Sequence, residues 1–406
     1  MWGTTRERST RSGCPAAAAA VPALPEELVV WEILIRLPAK TLLRCGAVCR
    51  SWRCLTSAAD FILAHHERQP SLPLVVFNGQ IRVSGNGGGG ATLDAFDPHA
   101  APAAAKRRPV LRFNNSGHSR EFKVYASCDG LLLFSLMSNR GFYICNPATR
   151  QCIALPLNLV GANVVALYRH SSSGEYRVLY RNWIDLYPNV AYYVLTVGSY
   201  AEPRCIGLPT AAAPALVKQY IAAGQLFVTE RPPVFLHSCL HWIVYSARVN
   251  ALVVFDTVAE SFRCMCPPTA ENGLWRHLHE LDDTLGMSYI DERKMMVKLW
   301  VLQDYEMEVW SLKYKIELPM AELRSIDKNC SFKVSVVLGN GDVLVSCSRL
   351  CHLYHCDSMG KLLQKFRWHC VFSRPIGHCF KESLVRHAFF QGQDNYHVVK
   401  PIFQWS

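Results

Sequence analysis

A unit of about 45–55 residues recurs through the larger, C-terminal part of the chain and limits the folds that this sequence can adopt. Each copy contains short apolar, β-branched and aromatic runs, and one run ends in Asn or Asp just before a tight turn. An Asn or Asp side chain suits that place because it bonds to backbone amides within the turn. The clearest copies span residues 130–156, 240–268 and, in weaker form, 343–366.

This repeat predicts a β-propeller over residues 111–406, because the repeat length is that of a propeller blade and not of a short solenoid repeat. Two further copies are predicted from the runs at 176–197 and 295–312, so we expect about five or six blades. Strands near 74–77 and 397–403 are expected to help close the ring. A pair of β-sandwiches is the alternative, since short, evenly spaced strands fit that architecture as well.

The first helix of the chain is predicted from Leu24 onward. Pro25 needs no backbone donor at the first helical position, and the acidic residues that follow face the positive end of the helix dipole. Leu24, Leu28, Trp31 and Ile35 share one face, and Pro38 ends the helix. We therefore expect a small helical domain to begin here and to extend over residues 23–68.

Two more helices complete this predicted domain. Thr41 is the expected cap of the second helix, and Ser51 is the expected cap of a third helix that ends near Phe61. These short helices carry apolar residues on more than one face, which so small a bundle cannot bury by itself. The surplus apolar surface indicates that another protein covers part of it.

Two parts of the sequence resemble one plant protein family. The resemblance to the F-box motif, in its plant form, lies in residues 24–38, 40–44 and 48–53. The resemblance to plant F-box-associated domains lies in residues 127–133, 145–150, 237–242 and 254–256. The fold class is accordingly expected to be an α+β multidomain chain, with a three-helix F-box followed by an all-β propeller-like domain.

The family implies that the F-box binds a Skp-family adaptor, which is joined to cullin and RING subunits of a ubiquitin ligase. The β domain would bind a target protein, and the subunit itself would not be an enzyme. A non-degradative interaction scaffold is the alternative function. The residues that correspond to the adaptor-binding motif are Leu24, Pro25, Leu28, Ile33, Leu34, Leu37, Pro38, Leu42, Leu43, Val48, Cys49, Trp52 and Leu55. About half of them are expected to hold the three helices together and the other half to face the adaptor. We expect Trp52 to dominate, because buried aromatic residues contribute most to interface energetics.

Composition defines the remaining segments and the cellular setting. Residues 1–22 are expected to be a disordered tail and not a signal or transit peptide, because the alanine run is short and weakly apolar. Residues 69–110 are expected to be a connector with a Gly/Ala/Pro-rich loop. Seventeen cysteines without a secretory signal favour a reducing compartment, the cytoplasm or the nucleus. We expect no membrane span and, because the +11 charge is dispersed, no nucleic-acid partner.

No concentrated catalytic motif is present, so neither a cofactor nor an enzymatic activity is expected. The best candidates for metal ligands are Cys347, Cys351, His352, His355 and Cys356. If this stretch forms a strand, the side chains alternate between its two faces and do not converge, so we expect no metal site. A propeller enzyme or a sugar-binding protein would instead require acidic or metal-ligating residues that converge on the central channel.

Overall fold

The structure is a computed structural model. It describes residues 24–79, 90–101, 106–114, 122–136, 141–156, 159, 162–183, 190–199, 201–207, 215–222, 232–244, 251–268, 276–291, 294–319, 323, 332–337, 340–347, 352–367, 372–391 and 403–405. The predicted disordered tail at residues 1–22 lies outside this part of the chain. Among the described helices, none is both long and apolar enough to cross a membrane.

The N-terminal domain contains four helical segments where the sequence predicted three. The first begins as α1 (Glu26–Leu28) and continues through a π-helical turn (Val29–Ile33) and a 3₁₀ turn (Leu34–Arg36). It is followed by α2 (Ala39–Cys45), α3 (Arg50–Thr56) and α4 (Ala59–Arg68). The additional segment is α4, because the third predicted helix ends at Thr56 and a new one contains Phe61.

Both predicted helix caps are wrong by a few residues. Thr41 and Ser51 lie inside α2 and α3, whereas the capping positions are Pro38 and Cys49. The Cys49 sulfur accepts the backbone N–H of Trp52, three positions later, at 3.4 Å, which is the type of capping contact that was expected of Ser51. Pro38 cannot supply such an acceptor, so the start of α2 has no side-chain cap of its own.

The core of the helical domain joins the first segment to α2 and α4. Val30, Ile35 and Phe61 are fully buried there. The helix α4 closes the bundle through His65, whose Nε2–H donates to the carbonyl oxygen of Leu37 at 2.8 Å. Burial lowers the pKa of His65, so its neutral ring fits this enclosed position.

The β domain consists of six sheets, each with one strand against the central axis. The strands before the first complete blade are β1 (Leu72–Gly79), β2 (Gly90–Phe96) and β3 (Arg107–Asn114). Blade I contains β4 (Phe122–Cys128), β5 (Leu131–Leu136), β6 (Gly141–Asn146) and β7 (Gln151–Ala154). Blade II contains β8 (Asn163–Arg169), β9 (Tyr176–Trp183), β10 (Val190–Thr196) and β11 (Arg204–Gly207). The helix α5 (Ala215–Ala222) follows blade II and packs on its core.

The remaining blades continue in chain order. Blade III contains β12 (Val234–Leu236), β13 (Cys239–Ile243), β14 (Leu252–Asp256) and β15 (Ser261–Met265). Blade IV contains β16 (Arg276–Leu281), β17 (Thr284–Asp291), β18 (Met296–Asp304) and β19 (Val309–Glu317). Blade V contains β20 (Phe332–Val337), β21 (Val343–Cys347), β22 (His352–Cys356) and β23 (Leu362–Arg367). All pairs within the blades are antiparallel. The predicted propeller is confirmed over the alternative of two β-sandwiches, and of the five or six blades expected it has six.

Blade VI is assembled from both ends of the β domain. The strand β24 (Phe372–Phe380) pairs with β1, and β25 (Phe403–Trp405) pairs with β3 as a fifth strand. The segment 69–110, predicted as a connector, therefore contains the strands β1 and β2 and the start of β3. The ring-closing strand predicted near 74–77 is β1, whereas β2 and β3 were not predicted, because they border glycine-, alanine- and proline-rich residues. Pairing β1 with β24 closes the ring by hydrogen bonds across the chain ends.

The Asn and Asp residues of the repeat perform the turn function that the sequence predicted. The Oδ1 atom of Asn146 accepts the N–H groups of the residues two and three positions later, at 3.0 and 3.3 Å. Asp256 and Asp304 make the same pair of bonds, and Asp97 and Asp357 accept the N–H two positions later. Five blades thus share one type of turn, which fixes the link between their third and fourth strands counted from the central axis.

A segment that follows the last inner strand crosses one face of the propeller. Residues 381–391, here named the C-terminal strap, end in a 3₁₀ turn (Ala388–Gln391). The Asn146 amide donates to the Ser383 carbonyl at 3.0 Å, and the Tyr176 ring meets His387 edge-on, with ring centroids 5.0 Å apart. The strap therefore joins blades I and II on the face where the helical domain is attached.

Candidate binding surfaces

The helical domain keeps part of its apolar surface free of the propeller. Leu28, Ile33 and Val48 have 51, 49 and 70% of their surface exposed, and Leu24 and Leu43 are exposed to a similar degree. Leu28 and Trp31 lie three residues apart on one helical face, and Trp31 packs edge-on against the buried Phe61 ring. This arrangement presents an apolar surface with an aromatic side chain already held in place.

The structure divides the predicted adaptor-binding residues between surface and core. Leu24, Pro25, Leu28, Ile33, Leu43 and Val48 are exposed, and Leu37, Pro38, Cys49, Trp52 and Leu55 are half-buried. Leu34 and Leu42 retain only 3 and 1% exposure and belong to the helical core. These two residues are therefore not adaptor contacts and belong to the part of the set that holds the helices together.

Two large exposed hydrophobic residues of this domain were left out of the predicted set. Trp31 was grouped with the apolar face of the first helix but not with the partner residues, and it is exposed. Leu63 was missed because the sequence did not predict α4 as a separate helix. The helical periodicity of residues 59–68 is the signal that could have found it.

The helical domain is fixed to the propeller through the C-terminal strap. The Glu382 carboxylate accepts the Ala39 N–H at 2.8 Å, and the Glu382 carbonyl oxygen accepts a hydrogen bond from His66 Nδ1 at 2.8 Å. Leu384 enters the core of the helical domain beside Phe61. One side of the helical domain is thus covered by the C-terminal strap, while the apolar surface around Leu28 and Ile33 is left open.

Comparisons with known families agree with this architecture. A family described as "F-box associated beta propeller domain" matches residues 102–385, and one described as "F-box-like" matches residues 21–61. The first match covers well over half of the chain. The chain is a plant-type F-box protein with an F-box-associated β-propeller domain.

Similar proteins in Arabidopsis thaliana are also named as F-box proteins. The chain is 22% identical to F-box protein At5g49610, with 72% of this chain and 79% of the relative covered. It is 24% identical to F-box protein At3g07870, with 79 and 82% covered. A crystal structure of a protein of unknown function from Bacteroides caccae matches 73% of this chain and 94% of its own, with 11% identity and a TM-score of 0.39.

The propeller of this F-box protein encloses a cavity of about 610 Å³ at its central axis. His277, His279 and His378 line it from the inner strands β16 and β24. Burial lowers the pKa of His279 and His378 to about 4, so both rings are neutral near pH 7. His279 Nε2 lies 2.7 Å from the Ser288 hydroxyl oxygen. These two neutral rings can therefore exchange hydrogen bonds with a polar group without adding positive charge, and among the described lining residues Lys381 supplies a cation.

Acidic residues also reach the rim of this cavity, which the sequence did not predict. Asp129, Glu280, Asp282 and Asp283 line it, and the Tyr176 hydroxyl donates to Asp129 at 3.0 Å. Within the described residues, however, no three of these side chains bring their ligand atoms close together. The channel of the F-box protein thus has a polar rim, and its described residues contain no compact set of metal ligands.

Of the five residues weighed as metal ligands from the sequence, the structure describes the side chains of three, His352, His355 and Cys356, and these three do not form a cluster. Cys351 and the side chain of Cys347 lie outside what the structure describes, and His352 and Cys356 are buried in β22. His355 instead pairs with Asp342 at 2.9 Å, and His99 lies against its ring, so that three possible ligand atoms fall within 4.8 Å. The hydrogen bond between Asp342 and His355 gives each of these buried side chains a polar partner, so their burial needs no metal ion to explain it.

Proposed function

We propose that this F-box protein is the substrate-recognition subunit of a Skp–cullin–F-box ubiquitin ligase. The helical domain would bind a Skp-family adaptor, and through it the cullin and RING subunits, while the propeller would bind a target protein. The protein would be non-catalytic and act in the cytoplasm or nucleus. The observation that carries the proposal is the set of exposed apolar side chains Leu24, Leu28, Trp31, Ile33 and Val48. They belong to a domain whose other side is covered by the C-terminal strap.

Physical chemistry supports a protein partner for this surface. Completely burying a fully exposed leucine or isoleucine contributes roughly 1.5–3 kcal/mol. Leu28 and Ile33 are about half exposed, so several such residues together are needed to outweigh the entropy lost on association. Trp31 adds a large aromatic side chain whose ring is positioned by Phe61, which reduces the entropy lost on binding. Left uncovered, such a surface favours non-specific association.

The first test is adaptor binding by the full-length protein. Leu28→Asp and Ile33→Asp each place a charge in the exposed surface, and we expect each to weaken binding of a recombinant Skp-family adaptor by at least about tenfold. Leu363→Asp is the matched control, because Leu363 lies on β23 of the propeller and is 48% exposed. If both helical variants bind the adaptor as tightly as Leu363→Asp, the proposed adaptor surface is wrong.

A second test separates a ligase subunit from a non-degradative scaffold. The purified protein is combined with adaptor, cullin, RING and conjugating enzymes, and ubiquitin transfer to proteins captured by the propeller is measured. A ligase subunit increases the transfer, and depletion of the protein lengthens the half-life of its targets. Adaptor binding without ubiquitin transfer and without a change in half-life would instead support the scaffold.

A further inference from the structure

A groove of about 1860 Å³ runs between the helical domain and the propeller. One wall comes from α2 and α4, and the other comes from blades I and VI together with the C-terminal strap. Pockets for small ligands commonly occupy about 300–1,000 Å³, so this groove is larger than a small molecule needs. Its size suits a segment of polypeptide.

The groove is strongly basic. Seven lysine or arginine side chains and two acidic side chains line it. Two of the arginines are neutralised locally: Arg107 pairs with Asp94, and Arg108 pairs with Asp97 at 2.7 Å. Of the two acidic residues, Glu382 is already engaged with the Ala39 N–H. The groove therefore has an excess of positive charge.

Five cations carry this excess. They are exposed side chains with no ion pair in the part of the chain that the structure describes: Lys40, Arg44, Arg112, Arg150 and Arg386. They come from both walls, since Lys40 and Arg44 belong to α2 and Arg112 belongs to β3. Cations gathered in a concave surface raise its positive potential and attract an anionic ligand.

The groove also has apolar lining between the cations. Leu43, Ile62 and Leu63 contribute from the helical domain, and Val110 contributes from β3. Single-stranded nucleic acids bind along basic grooves in which aromatic side chains stack with successive bases. Among the described lining residues of this groove the one aromatic side chain is Phe380, which is buried. Leucine and isoleucine beside arginine instead match a peptide that contains both acidic and apolar residues.

We propose that this groove binds an acidic segment of a target protein, whose Asp and Glu side chains pair with Lys40, Arg44, Arg112, Arg150 and Arg386. The naming of the occupant as a target rests on the proposed ligase function. The proposal that the groove binds an acidic peptide is independent of the ligase function, because it follows from the charge and the lining of the groove. Since the walls belong to different domains, the peptide would also hold the helical domain and the propeller together.

The test uses a fluorescein-labelled peptide rich in Glu and Leu, with the full-length protein, and measures binding by fluorescence anisotropy. The double variant Arg112→Glu with Arg386→Glu reverses two cations on the propeller wall. The matched control is Lys315→Glu with Lys361→Glu, which reverses two exposed cations in blades IV and V. We expect the groove variant to lose at least about tenfold in affinity for the peptide and the control variant to bind it like wild type. Added salt should weaken peptide binding by wild type and by the control variant.

Three outcomes would overturn the proposal. The peptide could fail to bind the wild-type protein, it could bind both double variants equally well, or a labelled polyuridine RNA of equal length could bind the groove more tightly than the peptide. Adaptor binding is measured on the same samples. Loss of peptide binding with intact adaptor binding supports the groove, whereas a failure of adaptor binding in wild type concerns the ligase function alone.

Discussion

The carboxylate of Glu382 accepts the backbone N–H of Ala39 at 2.8 Å, so a residue near the end of the propeller caps a helix of the N-terminal domain. The helix α2 needs this acceptor because Pro38, at its capping position, has no polar side chain. The negative charge of Glu382 also faces the positive end of the helix. One contact thus links the position of the helical domain to the C-terminal strap.

Replacing this carboxylate should loosen the helical domain. We expect Glu382→Ala to destabilise α2 by about 1 kcal/mol, because the first N–H groups of the helix lose their acceptor and a favourable charge. Hydrogen exchange of the α2 amides measures the effect directly. Glu382→Gln keeps an oxygen acceptor without the charge and should fall between wild type and Glu382→Ala. Equal protection in all three proteins would contradict the capping role.

The helical core and its exposed surface should respond differently to mutation. We expect Leu34→Ala or Leu42→Ala to cost about 2–5 kcal/mol of unfolding free energy, since each truncation leaves a cavity in a fully packed site. Leu43→Ala, next to Leu42 but exposed, should cost less than about 0.5 kcal/mol. Urea unfolding followed by Trp fluorescence compares the three, and similar losses in all of them would refute the division between core and surface.

The contact between the strap and blade I depends on a glycine. Gly130 has a φ of +81°, and a Cβ atom placed there would lie 2.4 Å from the Ser383 Cβ. We expect Gly130→Ala to displace the strap, to cost about 1–3 kcal/mol, and to make residues 381–391 more sensitive to protease.

Gly174→Ala is the matched control for that experiment. Gly174 also has a positive φ of +70°, but a Cβ atom placed there would meet only the flexible end of the Arg169 side chain, at 3.5 Å. The control variant therefore carries the backbone strain without the clash. Equal protease sensitivity of the strap in the two variants would show that Ser383 does not require a glycine at position 130.

A buried histidine should make the propeller sensitive to acid. Burial lowers the pKa of His241 to about 4, and its ring nitrogens lie 3.1 Å from the Val234 carbonyl oxygen and 2.8 Å from the Tyr305 hydroxyl. The unfolded chain takes up a proton near the ordinary pKa of 6.5, while the folded chain does not. Stability is therefore intact above about pH 6.5 and falls as the pH is lowered toward 4, by about 2 kcal/mol at pH 5 for this residue.

The measurement compares the urea midpoint at pH 7.5 and pH 5 in wild type and in His241→Asn, which keeps a donor for Val234. We expect His241→Asn to be less stable at pH 7.5 but to lose less on acidification. The pKa values of His279 and His378 are lowered in the same direction, so the slope should shrink without vanishing. An unchanged slope would show that His241 is not neutral in the folded protein.

Sequence alone determined the features that depend on neighbouring residues. The turns at Asn146 and Asp256 were predicted correctly, because an Asn or Asp side chain bonds to amides only two or three positions away. The repeat length limited the number of blades to about five or six, and the surplus of apolar residues in the helical domain followed from its small size. Resemblance to a family supplied the expectation of a Skp-family adaptor as a partner, but no pattern in the residues indicated the target protein.

Tertiary structure decided which of those apolar residues remain exposed. Leu42 and Leu43 are adjacent and chemically identical, yet one is buried and the other is not, because α2 is held between the helical core and the propeller. The cap at Ala39 and the basic groove could not be predicted from local sequence patterns either, because each combines residues that are far apart in the chain. Lys40 and Arg386 face one groove only after the ring of blades has closed and brought the two ends of the β domain beside the N-terminal helices.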